Sequence, residues 1–367
     1  YSFNIRKTEG TPAYRINLKD VETVTPEGPH KIRYGFREGA VTRDLPGIVA
    51  GLPILSKAYY EKVTFNKTTL VPPLTSGPWR IGRIDQGRSL VYERVPDYWG
   101  KDLPVNVGRH NFDKLQFDFY RDRTVALQAF KSGEYDFREE YTSKSWATGY
   151  DFPAVGKGLV IKESVPNLAP ASRQYFVLNL RRKKFQDIRV REAFGLAFDF
   201  KWTNKNLFYG IYDRSVSLWQ NTDMAARALP NEVEQELLQS IKGKVPSAIR
   251  TTVYLPPGEG KPLRKNLRRA AKRLKQAGWK IIDGKLTDKN GDVLEIEILT
   301  FSPVFERILA PIIKNLKRLG IQANIRIVDT AQYTFRMQTF DFDVTTAAFG
   351  TSATPGITEK NFWGSAA

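Results

Sequence analysis

Alternation of apolar and polar residues marks extended segments at several points along the chain. HKIRYGFRE (30–38) reads as a strand, and SGPWRI followed by RSLVYERV reads as a hairpin. KLQFDFY (114–120) sets Leu115, Phe117 and Phe119 against polar neighbours. DRTVALQAFKSG then carries Val125, Leu127, Ala129 and Phe130 at helical spacing and stops at Ser132-Gly133, before the extended EYDF. A strand–helix–strand unit is predicted there. A sharper one follows further on. LEIEIL (294–299) alternates, and FERILAPIIKNLKRLG places Phe305, Ile308, Leu309, Ile312, Leu316 and Leu319 on one helical face, with Gly320 as its C-terminal cap. IQANIRIVD alternates again, and FDFDVTTAAFG adds a strand after a short helix over 331–337. Two such units, about 150 residues apart, predict two similar α/β lobes. The most apolar stretch, LPGIVAGLPIL (45–55), carries two prolines and two glycines and reads as strand or loop. No short-period repeat is present.

Length and composition narrow this picture. A chain of 367 residues exceeds what one hydrophobic core usually serves, and 41% hydrophobic with 12% aromatic residues is globular. The net charge of +18 admits nucleic acid, an anionic membrane surface or an acidic ligand as partner. With no cysteine, disulfides, thiolate catalysis and Cys-based metal sites are excluded. No run approaches the roughly 18 apolar residues that span a bilayer. YSFNIRK, at the start, has no apolar core of a leader peptide.

Catalytic constellations are missing. His30 and His110 are the only histidines, neither has a second ligand at metal spacing, and both read as surface or turn residues. GEGK (258–261) lacks the spacing and preceding strand of a phosphate loop, and no G-x-S-x-G elbow occurs. Glu139 and Glu140 are adjacent, so in an extended segment they point to opposite faces. The reading is a non-enzyme without a cofactor.

The basic clusters argue for nucleic acid only weakly. KPLRKNLRRAAKRLKQAG (261–278) and RRKK (181–184) supply phosphate-binding charge. Yet Leu267, Ala270, Ala271, Leu274 and Ala277 form one stripe of that helix, which reads as a packed helix with a solvated outer face. No base-reading motif accompanies it. The stripe is also too alanine-rich for an interfacial helix. In SGPWRIGRIDQGRSLVYERVPDYWG (76–100), Trp79, Tyr92, Tyr98 and Trp99 alternate with Arg80, Arg83, Arg88 and Arg94. Aromatics in the core and arginines in water fit a half-buried strand better than a ligand face.

The order of segments then resembles a known family. SGPWRI, VYERVPDYWG, FDFYRDRTVALQAFKSGEYDF and YFVLNLRRKKFQDIRVREAFGLAFDF are similar to the family 5 extracellular solute-binding proteins, receptors of oligopeptide, dipeptide, nickel and opine ABC importers. WATGYDFPAV, NLFYGIYDRS, AGWKIIDGKLTDKNGDVLEIEIL and FDFDVTTAAFG resemble the YejA-like branch, associated with oligopeptides and microcin C. The resemblance implies an α/β, two-lobed periplasmic-binding-protein fold (type II, cluster C), with residues 1–172 forming part of the first lobe and 173–367 the second. Family members carry a leader and further chain before Tyr1, and continue past NFWGSAA back to the first lobe. By that comparison the chain is truncated at both ends and the first lobe is incomplete.

A periplasmic monomer that closes on a peptide or peptide-like solute and docks to ABC permease transmembrane subunits is the implied function, with no nucleic acid involved. The rival reading is a basic nucleic-acid-binding or scaffold protein. The resemblance places Gln174, Tyr175 and Asn179 at the hinge and cleft. It puts Arg138 at the end of a first-lobe strand, facing a ligand carboxylate or phosphate or else paired with a nearby Glu. Phe349, Gly350, Thr351 and Ser352 correspond to a ligand-binding loop, Ser352 standing where many members have the aspartate that holds a peptide's α-amino group. Arg336 is a carboxylate partner or an exposed helix residue, and Trp146 and Trp219 line the cleft or fill the core.

Overall fold

A computed structural model describes all residues except 68, 242, 352–355, 357–358, 360–361 and 364–367. Packing divides it into two compact units, one built on Tyr1–Glu139 and one that begins at Glu140.

In the first unit, α1 (Ser2–Glu9) packs beside a hairpin of β1 (Val21–Pro26) and β2 (Ile32–Phe36). Phe3, Leu18, Val21, Val49 and Leu52 form the core of this region. His30 lies in the turn between the two strands. The stretch expected as strand or loop is instead a short helix, α2 (Leu45–Ala50). Its proline falls in the first turn, where the missing N–H costs no hydrogen bond, and Leu45 and Val49 turn inward one helical turn apart. Near the C-terminus, Gly356 lies against the same region: a Cβ there would meet the Asp44 carboxylate at 2.2 Å. Gly356 thus belongs with the first unit.

A three-stranded antiparallel sheet follows, of β3 (Trp79–Asp85), β4 (Ser89–Arg94) and β5 (Lys114–Asp118). The expected hairpin is β3–β4, and its arginines face water as expected. Arg80 pairs with Glu93, and Arg94 with Asp113. Trp99 departs from the core assignment: it is 72% exposed, tethered by its indole N–H to the Ser76 carbonyl at 2.9 Å. After β5 comes α3 (Arg123–Lys131), capped by the Asp122 carboxylate, but no strand follows it. The Tyr135 hydroxyl bonds back to Ala126 O at 2.8 Å and its ring packs on Phe130, which folds the segment against the helix instead of extending it.

The second unit opens with α4 (Ser143–Thr148) and reaches its sheet at β6 (Arg173–Leu178). Residues 140–172 thus pack with this unit. The ties are specific: Asn221 donates to the Asn167 and Ala169 carbonyls, and Ala171 N–H to Gln220 O. Next come α5 (Ile188–Leu196), α6 (Phe200–Leu207) and the basic helix α7 (Leu263–Gln276). β7 (Lys280–Ile282) and β8 (Lys285–Thr287) pair as a small hairpin. The strand–helix–strand unit then appears as read: β9 (Glu295–Thr300), α8 (Glu306–Arg318) and β10 (Gln322–Ile327), followed by α9 (Thr330–Gln338) and β11 (Val344–Phe349).

The main sheet has the order β10-β9-β11-β6. β9 is parallel to both β10 and β11, while β6 is antiparallel to β11. Each face is covered. Ile296 and Ile298 of β9 join Leu309, Ile312 and Leu316 of α8 in the large core, with Ala270 and Leu274 of α7 and Val190 and Phe194 of α5. Leu299 faces the other way, onto Val177, Tyr333, Val328 and Phe342. On α7 the inward face is turned slightly from the expected stripe: Asn266 is buried, donating to the Gly258 and Lys261 carbonyls, and Ala271 is exposed.

Gly320 ends α8 at φ +81°, and a Cβ there would meet the Leu286 backbone nitrogen at 3.0 Å. Gly320→Ala therefore destabilises the unit by at least the left-handed cost of about 1–2 kcal/mol. A urea midpoint equal to that of the unsubstituted protein would refute this.

Candidate functional site

Because β9, β10 and β11 run parallel, their carboxyl ends share one edge of the sheet. β9 is flanked by the two strands that follow it, β10 on one side and β11 on the other, with α8 and α9 on opposite faces. In open α/β sheets, ligands bind outside the carboxyl ends at such a reversal. β6, running antiparallel, brings its first residues to that edge: Arg173 lies opposite Phe349, Gln174 opposite Ala348 and Tyr175 opposite Ala347.

Several expected residues gather here. Gln174 is exposed. The half-buried Tyr175 ring lies 5.9 Å from that of Phe349. Gly350 is exposed with open space around its α-carbon. Thr351 donates from its hydroxyl to Leu218 O at 3.2 Å, which ties the following loop of Trp219 to the same edge. Ser352 lies outside the described residues. Burial pushes the Tyr175 hydroxyl pKa up, the Arg173 charge pulling against it and Tyr254 adding to it.

The remaining expected residues are elsewhere. Asn179 is at the opposite end of β6, about 20 Å along the strand from Arg173. It is 4% exposed, and its amide donates to the Phe340 and Phe342 carbonyls at 2.8 and 2.9 Å and accepts from Arg181 N–H. Those bonds brace the turn before β11 and leave the amide no donor for a solute. Arg336 is likewise a brace and neither of the alternatives expected for it: from the last turn of α9 it reaches Glu297 at 2.8 Å and Asp341 at 3.1 Å. Trp146, on α4, has the Lys162 ammonium 4.4 Å over its ring, and the same ammonium donates to its carbonyl. Arg138 belongs to the first unit and donates to the Tyr135 hydroxyl at 2.8 Å.

Arg173 was missed. It lies at the head of β6 and shares the strand face of Tyr175 and Val177, yet only 1% of it is exposed. The signal was a cation in phase with a strand's inward positions.

Comparison places the chain. Residues 1–365 match the family described as bacterial extracellular solute-binding proteins, family 5 middle. The chain belongs to that family. It is 43% identical over 352 residues to a probable peptide-binding protein YejA of Agrobacterium fabrum, covering 93% of this chain and 57% of that protein. A putative binding protein of Brucella suis is 39% identical over 371 residues, covering all of this chain and 60% of the relative. The chain thus spans less than two thirds of the length of these curated relatives. Among solved structures, the oligopeptide-binding protein AppA of Bacillus subtilis, in complex with a nonapeptide, superposes with a TM-score of 0.72 at 18% identity, over 98% of this chain and 64% of that one. The fold is therefore the α/β periplasmic-binding-protein fold expected from the sequence, in its YejA-like branch. Among the described residues no side-chain cluster is suited to a metal ion, and no helix is long and apolar enough to cross a membrane.

Two measurements separate brace from ligand contact. Asn179→Ala removes the amide's bonds to the Phe340 and Phe342 carbonyls, the second of which keeps only the longer bond from Arg182 Nε, and lowers stability by about 1–3 kcal/mol in denaturant titration; an unchanged midpoint would show that the amide is idle. Tyr175 ionises above the ordinary tyrosine range in the folded state. The stabilisation of its neutral phenol is thus present below the unfolded pKa and lost as pH rises through the folded one. Tyr175→Phe should remove a late component of the phenolate absorbance, and a difference only in the early component would contradict its burial.

Proposed function

We propose that this chain is the greater part of the substrate-binding component of a peptide-type ABC importer. It captures an oligopeptide or peptide-like solute and delivers it, chemically unchanged, to a membrane permease. The observation that carries this reading is the family match over 1–365 together with 43% identity to a relative named as a peptide-binding protein. The sheet edge supports it. An exposed glutamine, a half-buried tyrosine and a phenylalanine at the carboxyl ends of parallel strands suit a ligand with alternating amide and apolar groups. The reading includes a periplasmic location, no catalysis and a monomeric state.

The rival, nucleic-acid binding, rests on α7, whose cations lie on the solvated side of a helix packed through Ala270 and Leu274. Nothing in that helix reads bases.

Thermal shift of the full-length protein against a peptide panel tests the proposal. A peptide at a hundred times its Kd stabilises the native state by about 2.7 kcal/mol and raises the melting midpoint accordingly. A flat panel at saturating concentration, with tight and steeply salt-dependent DNA or RNA binding, would replace the importer reading with its rival.

A further inference from the structure

Four side-chain nitrogens are buried without a hydrogen-bond partner among the described residues: Arg6 Nε, Arg173 Nε and Nη1, and Trp219 Nε1. Arg6 is otherwise held, donating through its other two nitrogens to the Tyr14 hydroxyl and the Pro53 carbonyl. The remaining three belong to two residues, and the fold brings both to the same sheet edge. Arg173 pairs with Phe349 across β6 and β11. Two residues before Arg173, the Ala171 N–H donates to Gln220 O at 3.0 Å; two residues after Phe349, the Thr351 hydroxyl donates to Leu218 O at 3.2 Å. Residues 218 and 220 are therefore fastened to the two strands just beyond the Arg173–Phe349 pair, with Trp219 between them.

A guanidinium is permanently charged and has donors only, as has an indole nitrogen. Taking such a charge out of water without a counter-ion costs several kcal/mol. Arg173 is 1% exposed and forms no ion pair among the described residues. Its guanidinium carbon is 6.0 Å from the centre of the Tyr175 ring, whose quadrupole offsets only part of that cost. Elsewhere in the unit partly buried arginines do find acids, as Arg336 finds Glu297. Among the described residues, what this edge lacks is an acceptor with negative charge.

We propose that Arg173, assisted by the Trp219 indole, is the recognition point for an anionic oxygen group of the solute: a carboxylate or a phosphate. This rests on the solute-binding reading above and adds to it that the solute is selected by charge at this end of the sheet. Arg173 is then the anchor, Trp219 adds one directed hydrogen bond, and Tyr175, on the same strand face, flanks the anion.

The test uses the full-length protein and calorimetric titration with trialanine, trialanine amide, and Ala-phosphoserine-Ala amide. A carboxylate site binds the acid about tenfold or more tighter than the amide, and a phosphate site restores affinity to the phosphorylated amide. Either preference should vanish in Arg173→Met and fall in Arg173→Lys, which keeps the charge without the planar fork. Trp219→Phe, which removes only the N–H, should weaken the anionic member alone. Arg173→Met should also raise the melting midpoint of the ligand-free protein, because an unpaired buried charge is removed; a structural arginine would lower it. Equal affinity for all three peptides, or a preference that survives Arg173→Met, overturns the proposal. If no peptide binds, the peptide reading fails by itself. Acetate and inorganic phosphate then decide: a rise in midpoint that Arg173→Met abolishes supports the anion site, and no rise overturns it.

Discussion

β11 holds hydrogen-bonded partners on both sides, parallel β9 and antiparallel β6, and the second unit depends on that double pairing. Val344 and Thr345, at the strand's start, are fully buried, and the Thr345 hydroxyl donates to Leu299 O at 2.9 Å while meeting the Tyr333 hydroxyl. Because side chains alternate across a sheet, the register of β6 against β11 decides which face each residue occupies. A slip of one residue would carry Arg173, Tyr175 and Val177 to the face where Phe176 and Leu178 pack on Phe194 and its neighbours. The braces at the far end resist such a slip. Asn179 clamps two carbonyls there, and Asp343 accepts from Lys184 at 2.7 Å and from Glu297 N–H at 3.0 Å. Asn179, bonded within the protein, thus helps to set the register that presents Gln174, Tyr175 and Phe349 at the other end.

The charge of the chain resolves into two populations. Arginines and lysines exceed acids by 18. Exposed pairs such as Arg189 with Asp187 and Arg273 with Glu192 contribute little to stability in water and less in salt. The cations of α7 produce a field that draws anions of every kind towards the surface without distinguishing them. Discrimination needs a cation removed from solvent, where an incoming acceptor is not in competition with water. Among these many cations, Arg173 meets that condition, and net charge could not single it out.

Much of the scaffold was legible because its signals are local. The period of LEIEIL, the apolar face of α8 and the left-handed Gly320 act within one turn or one strand, and each predicted the element found. Packing between elements accounts for the misses. LPGIVAGLPIL became helix α2 because Val49 buries in one core with Phe3 and Val21, partners more than twenty residues away. EYDF stayed unpaired because Tyr135 found Ala126 and Phe130 on the preceding helix. At the site, Tyr175, Gln174 and Phe349 were legible through family resemblance, which aligns strands. That alignment says nothing of whether an amide such as Asn179, or a guanidinium such as Arg336, is already bonded within the protein.

Arg173 shows why the two kinds of information differ. A core position on a strand favours an apolar residue, and the energetic argument against a cation there is strong. Replacing it by a residue of similar volume would relieve the empty protein of an uncompensated charge. Its presence is then best explained by a state in which the charge is compensated, and the sheet edge supplies no acid among the described residues to do so. The same penalty that weakens the ligand-free state is released when an oxyanion arrives, so part of the apparent affinity comes from the receptor's own instability. A site built this way discriminates more by the presence of a negative group than by the length of the solute behind it, which suits the receptor proposed above, whose remaining candidate contacts, Gln174 and the Tyr175–Phe349 ring pair, are tolerant of side-chain identity.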